Sequence, residues 1–265
     1  MDQKNSTRIG IITPTFNRPE LLKRTIDSVL AQNYYNWVMV IINDCSTVDY
    51  RSITDSLKDE RIHYFVNEKN SGVNFSRNRA LTKIEDFDCD YLTFLDDDDF
   101  LAHPQILEDI ASDSKRLLEK DWLIYDVMKI NQVVSNTDSK EKVIDYINDY
   151  LYGNQLRGDK HHLIRASVAK GKRFTECIRN GYEWTYFIQL ANVKTVHISR
   201  VVKIVEYQEE GLTQKGQSKK VKNILLQTAL PTMVWLNRPL NFKALRRMVA
   251  LSLKLPFRLL ISFLS

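Results

Sequence analysis

Residues 8–46 read RIGIITPTFNRPELLKRTIDSVLAQNYYNWVMVIINDCS, and this stretch decides the fold. RIGIIT (8–13) is a short run of apolar residues suited to a buried strand. Asn17-Arg18-Pro19 offers an N-cap and a proline fit for a first helical turn. Leu21, Leu22, Ile26, Val29 and Leu30 then fall on one helical face. WVMVIIN (37–43) is a second strand, rich in Val and Ile. A strand, a helix and a strand in this order form a right-handed crossover between parallel neighbours.

The pattern continues outward. Val48–Leu57 is a weaker helix, Ile62–Val66 a third strand, Asn74–Ile84 a helix, and YLTFL (91–95) a fourth strand. His103-Pro104 opens another helix running to about Lys120. The sum is an α/β fold, a doubly wound, mostly parallel central sheet flanked by helices. The second half is less regular. Trp122–Ile130 is strand-like, Lys140–Tyr152 helical, 158–162 a polar loop, Tyr182–Ala191 helical, and Val196–Tyr207 rich in β-branched residues. Residues 211–220 read as a linker, and a basic, apolar tail follows, with helices broken near Pro239 and Pro256.

Composition narrows the classes. The chain has 265 residues, 43% hydrophobic, which excludes a disordered protein. Net charge is +5, too mild to imply nucleic-acid binding. Three widely spaced cysteines without a CxxC pair exclude a disulfide framework or a Cys-type zinc site and fit a reducing compartment. The N-terminus carries no apolar signal-peptide core, and no apolar run reaches the about eighteen residues of a spanning helix. The expected location is cytoplasmic.

In open α/β sheets ligands bind beyond the carboxyl ends of the strands. Here those ends read TPTFN (13–17), NDCS (43–46) and DDDD (96–99). Four adjacent carboxylates repel each other, and a hard divalent cation such as Mg²⁺ relieves that repulsion. A solvated acidic loop is the plainer alternative. Asp44 suits a ribose or base contact, or an Asx-turn. Asn70-Ser71-Gly72 leads into a helix bearing Arg77, a candidate phosphate partner or a solvated arginine. Glu183, set among aromatics, is a candidate general base or a first-turn acid. His161, His162 and His197 lack metal-ligand spacing and read as structural.

Taken in order, residues 8–46, NSGVNFSRN (70–78), YLTFLDDDD (91–99) and GYEWTYFIQL (181–190) resemble the GT-A glycosyltransferases of family 2 over roughly residues 8–210. The resemblance implies a GT-A domain over 1–212 and a basic amphipathic helical tail over 213–265. It implies a UDP-sugar donor, Mn²⁺ or Mg²⁺ as cofactor, inversion at the anomeric carbon, and a glycan or lipid-linked acceptor in surface polysaccharide synthesis. Pro14 and Thr15 are similar to the family's nucleotide contacts, Asp44 to its base-reading acid, and Asn70 and Arg77 to groups closing over the nucleotide. Asp96 and Asp98 fill the DxD pattern, with Asp98 as metal ligand and Asp96 nearer the ribose or sugar. Glu183 aligns with the base, although Tyr182 stands where the family often has a second acid. The QxxRW signature of processive synthases is missing, which implies a non-processive enzyme. A nucleotidyltransferase would want a Gly-rich phosphate loop after the first strand, and ITPTFNRPE has none. A non-catalytic, membrane-attached module is the third alternative.

The tail is charged on one side only. Residues 219–265 hold nine Lys/Arg and no Asp/Glu, leaving −4 on the first 218 residues. Interleaved with Leu, Val, Met and Phe, this pattern suits an anionic membrane surface such as the inner face of the plasma membrane. A helical subdomain packed on the core, or on another subunit of a homo-oligomer, is the alternative.

Overall fold

The computed structural model describes residues 6–53, 56–130, 140–153, 155–177, 179–206, 221–237 and 242–264. Strands β1 (Ile9–Thr15), β2 (Trp37–Asn43), β3 (Ile62–Val66) and β4 (Tyr91–Phe94) pair in parallel in the order β3-β2-β1-β4. Helices α1 (Pro19–Leu30) and α2 (Val73–Ile84) make the crossovers, and α3 (Ile106–Arg116) follows the short strand β5 (Asp99–Leu101). Beyond β4 the sheet becomes mixed. Its order continues β8 (Lys160–Arg165), β6 (Trp122–Lys129), β9 (Thr195–Val205), β5, with β7 (Glu141–Ile144) on the side of β9. β8 runs antiparallel to both β4 and β6, while β6 and β9 are parallel.

Period-two alternation sends successive side chains to opposite faces. Ile9, Ile11, Met39 and Ile41 pack under Leu22, Ile26 and Val29 of α1 and Ile106 and Ile110 of α3. Ile12, Val38, Val40 and Ile42 face Ala80, Leu81 and Ile84 of α2. Both faces are therefore covered, and β2 reads as an unbroken apolar run from Trp37 to Ile42. Pro14 sits in β1 where pairing with β4 has ended, so its missing N–H breaks no ladder bond on that side.

Several elements differ from the sequence reading. The cap residue of α1 is Arg18, not Asn17. Asn17 takes φ +57°, and its side-chain oxygen accepts from the Thr47 N–H at 2.8 Å. Among the described residues, Val48–Leu57 carries single 3-10 turns at Arg51–Ile53 and Ser56–Lys58 and no α-helix. Helix was expected over Lys140–Tyr152. Instead β7 pairs with β9, and a six-residue π turn, Tyr146–Leu151, supplies the helix-like spacing of apolar residues. The polar loop expected at 158–162 is largely β8, whose two histidines are buried and each make one side-chain hydrogen bond, His161 Nδ1 being left without a partner among the described residues. His161 Nε2 meets Thr93 Oγ1 at 2.8 Å, and Trp122 Nε1 donates to His162 Nδ1 at 3.1 Å.

Two short helices, α4 (Ala166–Ala169) and α5 (Trp184–Phe187), precede the tail helices α6 (Val221–Asn237) and α7 (Phe242–Leu264). Pro256 lies inside α7 and does not break it, while Pro239, the 211–220 linker and the 212/213 boundary lie outside the described residues. Val234 and Ala244 are buried in the α2-side core, so the tail packs onto the sheet domain.

Candidate active site

The first two strands end in turns bound to each other. The Asn17 N–H donates to Ser46 Oγ at 2.8 Å, and the Asp44 N–H to the Thr15 carbonyl at 2.9 Å. Asn17, Cys45 and Tyr182 are three of the four non-glycine residues with positive φ among the described residues. Asn17 and Cys45 lie just past β1 and β2, and Tyr182 precedes Glu183.

Asp44 is buried at the end of β2. Its Oδ1 accepts from Asn67 Nδ2 at 2.7 Å and the Ser71 N–H at 2.9 Å, and its Oδ2 from the Gly72 N–H at 2.7 Å. Three of a carboxylate's about four acceptor positions are thus committed to shaping the loop that enters α2. Gly72 is required there. It takes φ +95°, and an added Cβ would lie 2.5 Å from the Arg179 carbonyl oxygen. Asn70 is exposed on this loop, where its backbone and side-chain oxygens accept from the Arg179 guanidinium.

The acidic run is pinned against α1 by its backbone. Thr25 Oγ1 donates to the Asp97 and Asp99 carbonyls at 3.0 and 2.6 Å, and Arg24 to the Asp98 carbonyl at 2.8 Å. Its four carboxylates then point to different partners. Asp97 is buried, accepting from Thr15 Oγ1 at 2.7 Å. Burial and the neighbouring Asp98 push its pKa up to about 7. Asp98 is partly open and pairs with Arg18 at 2.9 Å; burial and Asp96 push it upward. Asp99 forms a buried pair with Lys203 at 2.5 Å, and there Asp99 and Asp96 hold the ammonium charged against the cost of burial.

Asp96 faces Arg77. This buried guanidinium donates to Asp96 Oδ1 at 2.7 Å through one nitrogen and to Glu183 Oε1 at 3.0 Å through another. Burial would raise the Asp96 carboxyl, but Arg77 and Lys203 outweigh it and the net shift is downward. Phe174 lies under the guanidinium, with its ring centroid 5.4 Å from Cζ. Two consecutive left-handed residues, Gly181 and Tyr182, turn the chain so that Glu183 meets Arg77. Tyr182 and Trp184 contact edge to face on either side of Glu183 in sequence.

The structure therefore joins Arg77, Asp96 and Glu183 directly and sets Thr15, Asp97, Asp98 and Arg18 beside them. Asp44 organises the adjoining loop, Pro14 is buried in its strand, and Asn70 stands on the rim. Sequence reading did not single out Arg18, Asp97 or Lys203. A lone lysine in the β-branched stretch of β9 was the available signal for Lys203, and the Arg of NRP for Arg18. Among the described residues no three His, Cys, Asp or Glu side chains form a ready-made cation site.

A Rossmann-like sheet whose carboxyl edge carries an acidic loop, a buried arginine and a separate carboxylate is the arrangement of the GT-A transferase class. The chain belongs to glycosyl transferase family 2, whose model matches residues 10–166. A GalNAc(5)-diNAcBac-PP-undecaprenol beta-1,3-glucosyltransferase of Campylobacter jejuni is 26% identical over 83% of this chain and 71% of its own length. WcaA of Escherichia coli, named for colanic acid biosynthesis, is 42% identical over 39% of this chain. TuaG of Bacillus subtilis, named for teichuronic acid biosynthesis, is 40% identical over 34%. The matches span only 40% and 36% of those two relatives. The S. aureus TarS 1-349 structure in complex with UDP-GlcNAc superposes with a TM-score of 0.70 at 17% identity, covering 86% of this chain and 67% of that one.

Proposed function

We propose that this chain is an inverting, non-processive glycosyltransferase working in the cytoplasm. It moves a sugar from a nucleoside-diphosphate sugar, in our reading a UDP-sugar, to a hydroxyl of a glycan or lipid-linked saccharide during surface polysaccharide synthesis. The observation that carries this reading is the Arg77 guanidinium, which ties Asp96 of the acidic loop to Glu183 at the carboxyl edge of the sheet. It sets a candidate base beside the place where a diphosphate would meet the carboxylates. The UDP-GlcNAc seen in TarS and the polysaccharide names of WcaA and TuaG support the donor and the pathway class.

Each residue then has a task. Asp44 keeps one acceptor position for the base, and Pro14, Thr15 and Asn70 wall the nucleotide. The donor set fits a hard cation that takes one or two carboxylates and completes its shell from phosphate oxygens and water. Asp98, partly open and raised by burial and by its acidic neighbour, would hold Mn²⁺ or Mg²⁺, with Asp96 beside it toward the ribose or sugar. When bound, such a cation supplies neutralising charge to the diphosphate. Glu183 takes the proton of the acceptor hydroxyl. That oxygen attacks the anomeric carbon from the face opposite the nucleotide. The bond to the diphosphate breaks with its electron pair leaving on phosphate oxygen, and the configuration inverts. Tyr182 and Trp184 present aromatic faces to the acceptor sugar.

Glu183→Gln tests the assignment. Donor affinity by calorimetry should stay within about twofold of the parent, while transfer falls by about 10²–10⁴-fold, the usual contribution of a general base. Undiminished transfer in that variant removes Glu183 as the base.

A further inference from the structure

α7 carries a second surface. At about 100° per residue, Phe242, Val249, Leu253 and Phe257 fall within one arc of roughly 80°. They are 76%, 49%, 71% and 70% exposed. The opposite side of the helix is used by the body. Ala244 is buried, and Met248, Leu251 and Leu255 are half-buried. Two of its cations also turn inward. The Arg247 guanidinium lies 4.7 Å over the Tyr152 ring, and Arg258 donates to Gln227 at 2.5 Å. Arg246 stays exposed within that arc, between Phe242 and Val249 along the helix, and Lys254 stays exposed about 60° beyond its edge.

An exposed row of four large apolar side chains marks an interaction surface rather than a solvated one. Charge selects its occupant. The nine Lys/Arg of residues 219–265, with no Asp/Glu, call for an anionic partner. A helix with four large apolar side chains on its crest, an arginine among them and a lysine on its flank matches a bilayer: the rings enter the acyl boundary while the long cationic side chains reach back to the phosphates. Among the described residues no helix is long and apolar enough to cross a membrane, so α7 would lie along the surface.

We propose that α7 seats the protein in the headgroup layer of an anionic bilayer through Phe242, Val249, Leu253 and Phe257, with Arg246 and Lys254 on lipid phosphates. The seat is coupled to the cleft. Gln227 of α6 accepts from Arg258 and donates to the Tyr182 hydroxyl at 3.3 Å, one residue from Glu183. A saccharide carried on a lipid would thus reach Glu183 from the membrane side. This last step rests on the transferase reading; the membrane seat does not.

Flotation of the full chain with vesicles tests it. The chain should float with phosphatidylcholine vesicles holding about 30% phosphatidylglycerol, float at least tenfold less with pure phosphatidylcholine, and detach as salt rises. Leu253→Asp with Phe257→Asp should leave it unfloated. Arg246→Glu with Lys254→Glu should weaken partitioning by about fivefold or more for each cation removed. All four positions are exposed, so thermal melting and UDP binding should match the parent. Loss of flotation with UDP binding intact therefore separates the membrane seat from the transferase reading. A parent chain that stays unfloated with the anionic vesicles, or a Leu253→Asp/Phe257→Asp chain that floats as well as the parent, overturns the proposal. So does a parent dimer in light scattering that the same two substitutions convert to monomer, since a second copy would then cover the face.

Discussion

Arg77→Met isolates what the buried guanidinium does. Methionine keeps an apolar body against Phe174 and removes both donors. Enclosed charge-assisted bonds contribute about 1.5–3 kcal/mol each. Here the Asp96 and Glu183 side chains are 38% and 46% exposed, so water resolvates them and screening brings each bond toward about 1 kcal/mol. The expected loss of stability is about 2 kcal/mol, a fall in Tm of about 4–8 °C for a chain of this size. Activity should fall further, by about 10²-fold, because a base displaced by about 1 Å loses its line to the acceptor. The pH dependence gives an independent readout. Asp96 is held below its ordinary value, so its pairing stabilises the fold above the unfolded pKa and is lost as pH falls through the folded one. The Tm gap between parent and variant should therefore be full at pH 7 and narrow in acid. With Arg77 gone, Asp96 loses the strongest of the cations that lower it and titrates at higher pH than in the parent, moving the acidic limb of the kcat/KM profile upward. Scanning calorimetry from pH 3 to 8 and a pH–rate series read both effects. Equal Tm at pH 7 together with superimposable pH profiles would refute the bridging role.

Two further substitutions probe the loops around it. Asp97 has a raised pKa, so its ionisation at pH 8 opposes folding by at most about 4 kcal/mol, from about 7 against an unfolded value near 3.9. That penalty is complete above pH 7 and absent below pH 4. Asp97→Asn, which still accepts from Thr15, is expected to raise Tm by about 2–8 °C at pH 8 and leave it unchanged at pH 4, and a lower Tm at pH 8 contradicts the burial argument. Gly72→Ala should cost more than Gly158→Ala in urea unfolding. Both glycines have positive φ, but only at Gly72 does the new Cβ meet a carbonyl oxygen, at 2.5 Å, while Gly158 has open space. Equal costs would mean that the approach of Arg179 to Gly72 is readily relaxed.

The parallel half of the fold was legible because its signals are local. Strands covered on both faces read as VMVII, and α1 shows its apolar stripe at helical spacing. The acidic run was legible for the same reason, since four carboxylates after a buried strand have few uses. Partners distant in sequence were not legible. Arg77 was flagged for a phosphate or nucleotide, yet its contacts are 19 and 106 residues away. β8 was read as a loop because KHH looks polar. Its histidines are instead buried and hydrogen-bonded to Thr93 and Trp122, 68 and 40 residues distant in sequence. Lys203 and Arg18 gave only weak signals, a lone lysine in a β-branched stretch and the Arg of NRP, because their meaning lies in the carboxylates they neutralise. The tail helices were legible as amphipathic, but the inward turn of Arg247 and Arg258 depends on Tyr152 and Gln227 of the folded chain.

The strained residues show that this edge of the sheet is ordered by its own bonds, as the proposed donor site would require. A non-glycine residue in the left-handed region costs about 1 kcal/mol or more and persists only where its surroundings over-determine it. Asn17 is held at its backbone by Ser46 and at its side chain by Thr47. Cys45 lies between Asp44, which is bound to three donors, and Ser46, whose N–H donates to Asn43 Oδ1 at 2.8 Å. The turns after β1 and β2 are thus locked to one another by bonds formed on folding, and a nucleotide entering between them need not order them. Glu183 differs, being nearly half exposed and held in the cleft by one side-chain bond to Arg77. A diphosphate drawing on the same guanidinium would compete with that bond. On the proposed assignment the donor side is rigid and the base side yielding, as expected if donor binding precedes and frees the group that acts on the acceptor. Product-inhibition kinetics test that order: UDP should compete with the donor and not with the acceptor, and the opposite pattern would reverse the assignment of rigid and yielding sides.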